Sequence, residues 1–337
     1  MTKKIAIIGG GVIGCLTAIK LKESGFEVVV VDKYEIGKES SWAGAGILFP
    51  LMPWDYEEKV YDLCKSASFF YKDFSKKLYD STGVDPEYKE TGMILIPPYQ
   101  KDIISKWANS KNFLFQEIFF KGSKSILFPK VSQIRSPRLM KAIKLFMQEM
   151  NIEIIENMEL DKIANKKEVL AKWPTKKNSF IEADYFVLTS GAWSPSLRDA
   201  YKSKIHPVRG QMIQYKASNL KIQNILYSND FYILQRKDGV IIAGSSIEEV
   251  GFDETVTNEW KEMLMAKAEQ LIPELKNILV ENHWAGFRPG AKENIPFIQK
   301  DDYYENIFIN AGHFRYGLTM APQSAENLKE ILLKSII

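Results

Sequence analysis

Three glycines near the N-terminus, Gly9, Gly11 and Gly14, constrain the fold of this chain more than any other feature of its sequence. They fit the pattern GxGxxG directly after an apolar run, Ile5 to Ile8, that is typical of a buried strand. A helix pattern follows and ends near Gly25. In such a turn the first glycine allows the tight bend, the second lets the backbone approach a pyrophosphate, and the third lets the helix pack closely. The N-terminal segment therefore predicts a Rossmann-like dinucleotide site.

An acidic residue after the second predicted strand supports this interpretation. The apolar run Val28 to Val31 ends at Asp32, which follows Gly14 by 18 residues. That spacing is close to the ~20 residues expected for the acidic partner of the motif. The carboxylate can accept hydrogen bonds from both hydroxyls of an adenosine ribose, but it would repel a 2′-phosphate. The sequence thus disfavours NADP and leaves both NAD and FAD open.

Composition sets the remaining limits. The 337 residues suggest two domains, and the net charge of +3 gives no indication of a nucleic-acid partner, so none is expected. The two cysteines have no CxxC spacing and read as buried side chains in a reducing compartment, and the three histidines are too scattered to suggest a metal site. No apolar run reaches the ~18 residues needed to span a bilayer, so a cytoplasmic protein is expected.

The pattern of predicted secondary structure changes along the chain. Alternating strand and helix patterns at the start give way, between Ile205 and Ser246, to short strand-like runs separated by turn signals. An antiparallel domain inserted into a Rossmann-like α/β domain is therefore expected. Near the end, a strand at Ile307 to Asn310, a glycine turn and a helix from Pro322 to Ile336 would aim a second helix N-terminus at a ligand.

Two arginines are the candidate anion-binding residues. Arg288 in HWAGFRPG and Arg315 in AGHFRYG lie among glycines and aromatic residues rather than among other charges. A guanidinium group in such surroundings suits bidentate capture of a carboxylate, although each could simply pair with a nearby acidic residue. Tyr232 lies on a predicted strand, where its hydroxyl could enter a pocket or its ring could pack in the core.

The sequence shows no nucleophile elbow, paired-carboxylate motif or histidine–cysteine arrangement. The run of small residues from Ser40 to Leu48 would let backbone N–H groups reach a flat ligand, or could be a flexible loop. A dinucleotide site without acid–base residues of its own suits redox chemistry in which a cofactor carries the reactive atom.

Taken together, the motifs resemble the D-amino-acid oxidase family of flavoproteins, and most closely its glycine oxidase branch. The matching segments span nearly the whole chain and are IIGGGVIG with Asp32, SSWAGAGIL, SGAWS, PVRGQ, WAGFRPG and NAGHFRYGLTMAP. The resemblance favours FAD over NAD. It implies an FAD-binding domain of residues 1–84, 130–204 and 288–337, and a substrate-binding domain of residues 85–129 and 205–287.

The resemblance also assigns roles residue by residue. It implies that Arg288 binds a substrate carboxylate, with Arg315, Tyr232 and Ile247 in the same pocket. Ile247 and Tyr316 stand where relatives often have methionine and asparagine, which leaves the substrate preference open. The residues expected to bind FAD are Gly9, Gly11, Val12, Ile13, Gly14, Asp32, Lys33, Ser40, Ser41, Ala45, Gly46, Ile47, Leu160, Gly191, His313, Phe314, Arg315, Tyr316, Gly317, Leu318 and Thr319. Neither Cys15 nor Cys64 is placed to attach FAD, so non-covalent binding is expected.

The activity implied by the resemblance is oxidative deamination of glycine, a small D-amino acid or a secondary amine. Hydride would pass to flavin N5, the imine would hydrolyse to an oxo acid, and O₂ would be reduced to H₂O₂. A place in thiamine biosynthesis and a homo-oligomeric state are further expectations. The alternatives are a dehydrogenase that uses a quinone or carrier, a flavin oxidase of modified tRNA, and a non-catalytic flavin-binding protein.

Overall fold

The computed structural model describes residues 2–49 and 52–336. The strands, in chain order, are β1 (Lys4–Ile8), β2 (Glu27–Val31), β3 (Lys89–Glu90), β4 (Met93–Leu95), β5 (Gln116–Phe120), β6 (Ser123–Phe128), β7 (Ser132–Gln133), β8 (Glu153–Ile155), β9 (Lys172–Pro174), β10 (Phe180–Glu182), β11 (Tyr185–Leu188), β12 (Ile205–Lys216), β13 (Ile225–Ser228), β14 (Phe231–Gln235), β15 (Val240–Gly244), β16 (Val280–Ala291), β17 (Phe297–Lys300) and β18 (Ile307–Ala311). The α-helices are α1 (Val12–Glu23), α2 (Ser40–Ala43), α3 (Glu58–Cys64), α4 (Ala67–Thr82), α5 (Lys101–Ser110), α6 (Ser136–Glu149), α7 (Ser194–Leu197), α8 (Asn258–Leu271) and α9 (Gly317–Ile336).

A mostly parallel sheet of six strands contains the predicted dinucleotide motif. Its order is β17-β18-β11-β1-β2-β8, and only β17 runs antiparallel to its neighbour. Ile5 and Ile7 of β1 pack into one buried cluster with α1, α4, α6 and α9, whereas Ala6 and Ile8 pack into another that includes Trp173 of β9. A sheet buried on both faces needs uninterrupted apolar strands, which explains the runs seen in the sequence. The predicted Rossmann-like domain is confirmed.

The second large sheet has eight strands in the order β16-β12-β15-β14-β13-β4-β6-β5. All its pairs are antiparallel except β4 with β13. Helix α8 packs on one face, where Leu264 and Ala268 are buried, and the other face carries Met212, Tyr232 and Leu234. The predicted antiparallel insertion is therefore confirmed, while the residue boundaries of the two domains stay a prediction.

The ends of two helices test local signals in the sequence. Thr257 caps α8, since its hydroxyl accepts a hydrogen bond from the Trp260 N–H at 3.3 Å, as expected for a threonine that precedes a helix. Helix α9, in contrast, begins at Gly317, so the predicted start at Pro322 was wrong. The chain enters α9 directly from a 3₁₀ turn at Phe314–Tyr316, and the proline lies inside the helix.

Both cysteines are buried within helices, Cys15 in α1 and Cys64 in α3. Within residues 2–49 and 52–336, no helix combines the length and apolar character that a membrane crossing requires. The same residues contain no group of three or more His, Cys, Asp or Glu side chains that could hold a metal ion.

Candidate active site

A cleft with a volume of about 510 Å³ is lined by both large sheets. From the six-stranded sheet it receives the residues that follow the carboxyl ends of β1, β2, β11 and β18. From the eight-stranded sheet it receives side chains and backbone of β12, β14 and β16. The carboxyl edge of a doubly wound sheet is where such folds bind ligands, so this cleft is the candidate site.

The glycine turn forms one end of the cleft. Gly9 has a φ of +115°, and a Cβ atom there would lie 2.7 Å from the backbone of Thr189. Gly14 does not line the cleft, because it faces back toward β1, where a Cβ atom would lie 1.9 Å from the Gly9 carbonyl oxygen. The glycines therefore hold the N-terminus of α1 close to the strand, with its backbone facing the cleft. This geometry fits a pyrophosphate group.

Asp32 lies beside this turn with its carboxylate fixed by backbone groups. Its two oxygens accept hydrogen bonds from the Gly10 N–H at 2.6 Å and the Tyr34 N–H at 2.8 Å. Burial raises the pKa of Asp32, although these two hydrogen bonds oppose that effect. Lys33 and Leu160 line the same end of the cleft. The arrangement fits an adenosine ribose, as the position of Asp32 after the second predicted strand indicated.

The segment of small residues crosses the middle of the cleft. The Ser41 hydroxyl accepts the Val12 N–H at 2.9 Å, and the Ser40 hydroxyl donates to the Phe287 carbonyl. Gly46 has a φ of +75°, and a Cβ there would lie 1.9 Å from the Ile134 carbonyl oxygen. Hydrogen bonds to the first residue of α1 and to β16 thus shape this segment.

Arg236, which directly follows β14, fixes the start of the next part of the same segment. Its guanidinium donates to the Ala45 carbonyl at 2.6 Å, the Ile134 carbonyl at 3.1 Å and the Gln133 side chain at 2.7 Å. Ala45, Gly46 and Ile47 all line the cleft. A buried arginine that the sequence did not single out therefore fixes Ala45, the first of three residues expected to meet the cofactor.

The C-terminal turn and the start of α9 form the far end of the cleft. All residues from His313 to Thr319 line it, and Gly191 of the turn after β11 does so as well. The His313 Nε2 atom lies 3.0 Å from the Ser324 hydroxyl, and burial lowers the pKa of this histidine to about 3. The imidazole is therefore neutral near pH 7. The N-terminus of the 20-residue helix α9 contributes a partial positive charge.

Arg288 differs from the other cations of the cleft. Lys33, Lys38, Lys162, Lys176, Arg288 and Arg315 line the cleft among the described residues. Five of them lie between 2.5 and 3.4 Å from a carboxylate, in the pairs Lys33–Glu159, Lys38–Glu35, Lys162–Asp199, Lys176–Asp161 and Arg315–Asp230. Within residues 2–49 and 52–336, Arg288 has no such ion pair.

The donors of Arg288 contact neutral oxygens instead. Its guanidinium bonds to the Arg209 carbonyl at 3.3 Å, the Ser246 carbonyl at 3.1 Å and the Ser245 hydroxyl at 2.6 Å. Burial, with a smaller contribution from the positive charge of Arg315, lowers the pKa of Arg288 to about 10. The group is charged near pH 7. A desolvated cation without a counter-ion is a strong site for an anionic ligand.

Two other predicted substrate residues lie in the same cleft, and one does not. Tyr232 lines the cleft from β14, and its hydroxyl lies 3.5 Å from the Met212 sulfur. Arg315 lines it from the C-terminal turn. Ile247 lies outside the cleft lining in the loop after β15, with 43% of its surface exposed. The structure therefore does not bring Ile247 to the pocket; the loop instead presents Ser245 there.

The motifs PVRGQ and SGAWS each contain a residue of the cleft for which the sequence predicted no role. Gly210 in PVRGQ lies against Arg288, since a Cβ at this position would be 2.2 Å from the guanidinium. Trp193 in SGAWS lines the cleft and stacks on Phe252 with ring centroids 5.1 Å apart. The motifs mark both positions in the sequence, but the roles of Gly210 and Trp193 depend on contacts between segments far apart in the chain.

Comparison with known proteins assigns the family. A family model described as FAD dependent oxidoreductase matches residues 4–331. The chain belongs to this family. It is 34% identical to the glycine oxidase of Pseudomonas putida over 98% of this chain and 95% of that protein. The resemblance to the D-amino-acid oxidase family and its glycine oxidase branch is thereby confirmed, and the protein is an FAD-dependent oxidoreductase.

Solved structures show the same fold. The glycine oxidase of Bacillus cereus superposes with a TM-score of 0.89 at 23% identity, covering 99% of this chain and 95% of that one. The iminodiacetate oxidase of a Chelativorans species superposes with a TM-score of 0.86 at 18% identity, covering 98% and 95%. Proteins of this fold therefore include enzymes named for different amines.

Proposed function

We propose that the protein oxidises glycine or another small amino acid or secondary amine, with FAD as cofactor and O₂ as electron acceptor. The unpaired guanidinium of Arg288 is the observation that carries this proposal. Substrates of this class present a carboxylate next to the amine, and Arg288 provides a desolvated positive charge for it. The similarity to a glycine oxidase at 34% identity supports the same class of substrate.

The side chains near Arg288 and the C-terminal turn suit positioning of a substrate rather than proton transfer. FAD, when bound, supplies the acceptor for the hydride removed from the substrate. Arg288 would bind the carboxylate, and Tyr232 would limit how the substrate can tilt in the cleft. His313 is neutral and engaged with Ser324, so it is not placed to act as a general base. Orientation of a bound amine is consequently the main contribution of these residues.

The reactive end of FAD would lie near His313 to Thr319, with its phosphates at the glycine turn. The segment Ala45–Ile47 would lie between them. Non-covalent binding is supported by the two cysteines, because both are buried and neither lines the cleft. Acid precipitation of the purified protein should therefore release the flavin into the supernatant. A cytoplasmic location, a homo-oligomer and a role in thiamine biosynthesis stay predictions.

An anaerobic screen of amines tests the activity. The purified flavoprotein would be mixed with glycine, sarcosine, D-alanine and D-proline, and loss of flavin absorbance would be followed. We expect at least one of these amines to bleach the flavin and, under air, to generate hydrogen peroxide stoichiometrically. Bleaching without peroxide would favour a dehydrogenase. No bleaching by any of them would contradict the proposed substrate class.

A further inference from the structure

Asp230 holds the second arginine of the cleft from outside. It occupies the tight turn between β13 and β14, with a φ of +59°. Its Oδ1 atom accepts hydrogen bonds from Arg315 at 2.9 Å and from the Tyr227 hydroxyl at 3.0 Å. Arg315 lines the cleft with only 10% of its side chain exposed, whereas Asp230 does not line it. Asp230 therefore does not contact a ligand in the cleft, and its contact with the cleft lining is the ion pair with Arg315.

The charges around this pair are fixed near neutral pH. Burial alone would raise the pKa of Asp230, but Arg315 outweighs it and the pKa is lowered. The pKa of Arg315 is raised, because Tyr316 and Asp230 outweigh the effect of burial. Burial and, to a smaller extent, Asp230 raise the pKa of the nearby Asp55. A second carboxylate on a substrate would consequently meet an arginine whose charge Asp230 already neutralises.

We propose that Asp230 restricts the substrate to amines with one carboxylate, because it neutralises Arg315 and leaves Arg288 as the cation that can accept an anion. This inference rests on the proposed function. Asp230 is a positioning and specificity residue rather than a catalytic one. Arg315, released from Asp230, would be free to bind a second carboxylate of a dicarboxylic amine.

Two substrates that differ in charge but hardly in shape test the idea. N-Ethylglycine and iminodiacetate share a secondary amine and one carboxylate, and they differ only in a terminal methyl or carboxylate group. Wild-type protein should prefer N-ethylglycine in kcat/KM. In Asp230→Asn, the ratio of kcat/KM for iminodiacetate to kcat/KM for N-ethylglycine should rise by on the order of tenfold or more. The second carboxylate of iminodiacetate, repelled in the wild type, would then pair with Arg315. An unchanged ratio would overturn the proposal.

Three control variants separate the change in substrate preference of Asp230→Asn from damage to the fold. Asparagine tolerates the positive φ of the turn, so Asp230→Asn should keep the hairpin. Asp230→Glu retains the negative charge and should keep the wild-type preference. Adding Arg315→Met to Asp230→Asn should abolish the increased preference for iminodiacetate. Asp62→Asn removes the same charge from an exposed pair with Lys65 and should leave the ratio unchanged.

Binding of inert ligands provides a measurement that does not need turnover. Pentanoate and glutarate replace the amine nitrogen of the two substrates by a methylene group. Their affinity for the flavoprotein can be followed by perturbation of the flavin spectrum. Asp230→Asn should tighten glutarate relative to pentanoate by a similar factor; equal changes for both would overturn the proposal. If wild type oxidises no amine, the proposed function fails, whereas if it oxidises both substrates equally, only the restriction to one carboxylate fails.

Discussion

At the scale of single residues, Arg288 should dominate substrate binding. Arg288→Ala would leave a bound carboxylate without its partner, which costs roughly 3–5 kcal/mol for a buried pair. At ~1.4 kcal/mol per tenfold change, kcat/KM should fall by about two to four orders of magnitude. Steady-state kinetics with the preferred amine would measure this. Arg288→Lys should lose less, because it keeps the charge but not the two-pronged geometry. Near-normal turnover by Arg288→Ala would contradict the assignment.

Gly210 should control the position of that arginine. In Gly210→Ala, the new methyl group would lie 2.2 to 2.4 Å from three atoms of the Arg288 guanidinium, so the side chain must move. A displacement of about 1 Å at a substrate anchor can cost on the order of 100-fold in rate. We expect a large rise in KM with little change in the unfolding temperature, because only a side chain shifts. An unchanged KM would show that Arg288 relocates without consequence.

The sequence predicted residue types at this site better than it predicted their contacts. Arg288 and Arg315 stood out because each lies among glycines and aromatic residues. Arg315 is paired because Asp230 lies beside it, although Asp230 precedes Arg315 by 85 residues and has the sequence context of a turn residue. Arg288 contacts neutral oxygens instead. Ile247 was expected in the pocket, but the path of its loop points Ser245 there instead. Such differences arise from long-range packing, which local patterns do not encode.

At the scale of elements, α9 shows how a proline is accommodated inside a helix. Pro322 has no N–H to bond the carbonyl of Leu318, four residues earlier. The Tyr71 hydroxyl of α4 donates to that carbonyl at 2.9 Å instead, and Tyr71 is fully buried. The predicted start at Pro322 was therefore five residues too late, because a contact between helices replaces the missing bond and lets the helix continue through the proline.

Tyr71→Phe should destabilise the protein through this carbonyl. The buried oxygen would lose its donor, at a cost of about 1–3 kcal/mol in the free energy of unfolding. Chemical denaturation would measure the change. Pro322→Ala restores an N–H that can bond Leu318, so the double variant Tyr71→Phe/Pro322→Ala should recover part of the loss. Strict additivity of the two substitutions would argue against this explanation.

At the scale of the whole molecule, the two large sheets meet around the cleft. The sequence predicted both sheets. Period-two and continuous apolar patterns identify strands because they report which faces are buried, and the glycine turn with Asp32 identifies the parallel sheet. The parallel pairing of β4 with β13 was not foreseen, since these strands are separated by more than 120 residues. The inserted sheet contributes Tyr232, Gly210 and Arg288, so substrate binding depends on how the two domains are joined.

The stability of the whole chain should fall on mild acidification because of His313. Its pKa is about 3 in the folded protein against an ordinary 6.5, since burial disfavours the charged form. As the pH falls below 6.5 the unfolded chain takes up this proton while the folded protein does not. His313 alone should therefore weaken folding by about 2 kcal/mol at pH 5 relative to neutral pH. The pKa values of Asp230 and Glu248 are lowered, so these carboxylates lose their contribution only at more acidic pH. The pKa values of Asp32 and Asp55 are raised, so these carboxyls take up protons more readily in the folded protein and oppose the loss. Denaturation at constant excess FAD between pH 5 and 8 should show a weaker pH dependence in His313→Asn than in wild type, whereas identical slopes would contradict a neutral, buried His313.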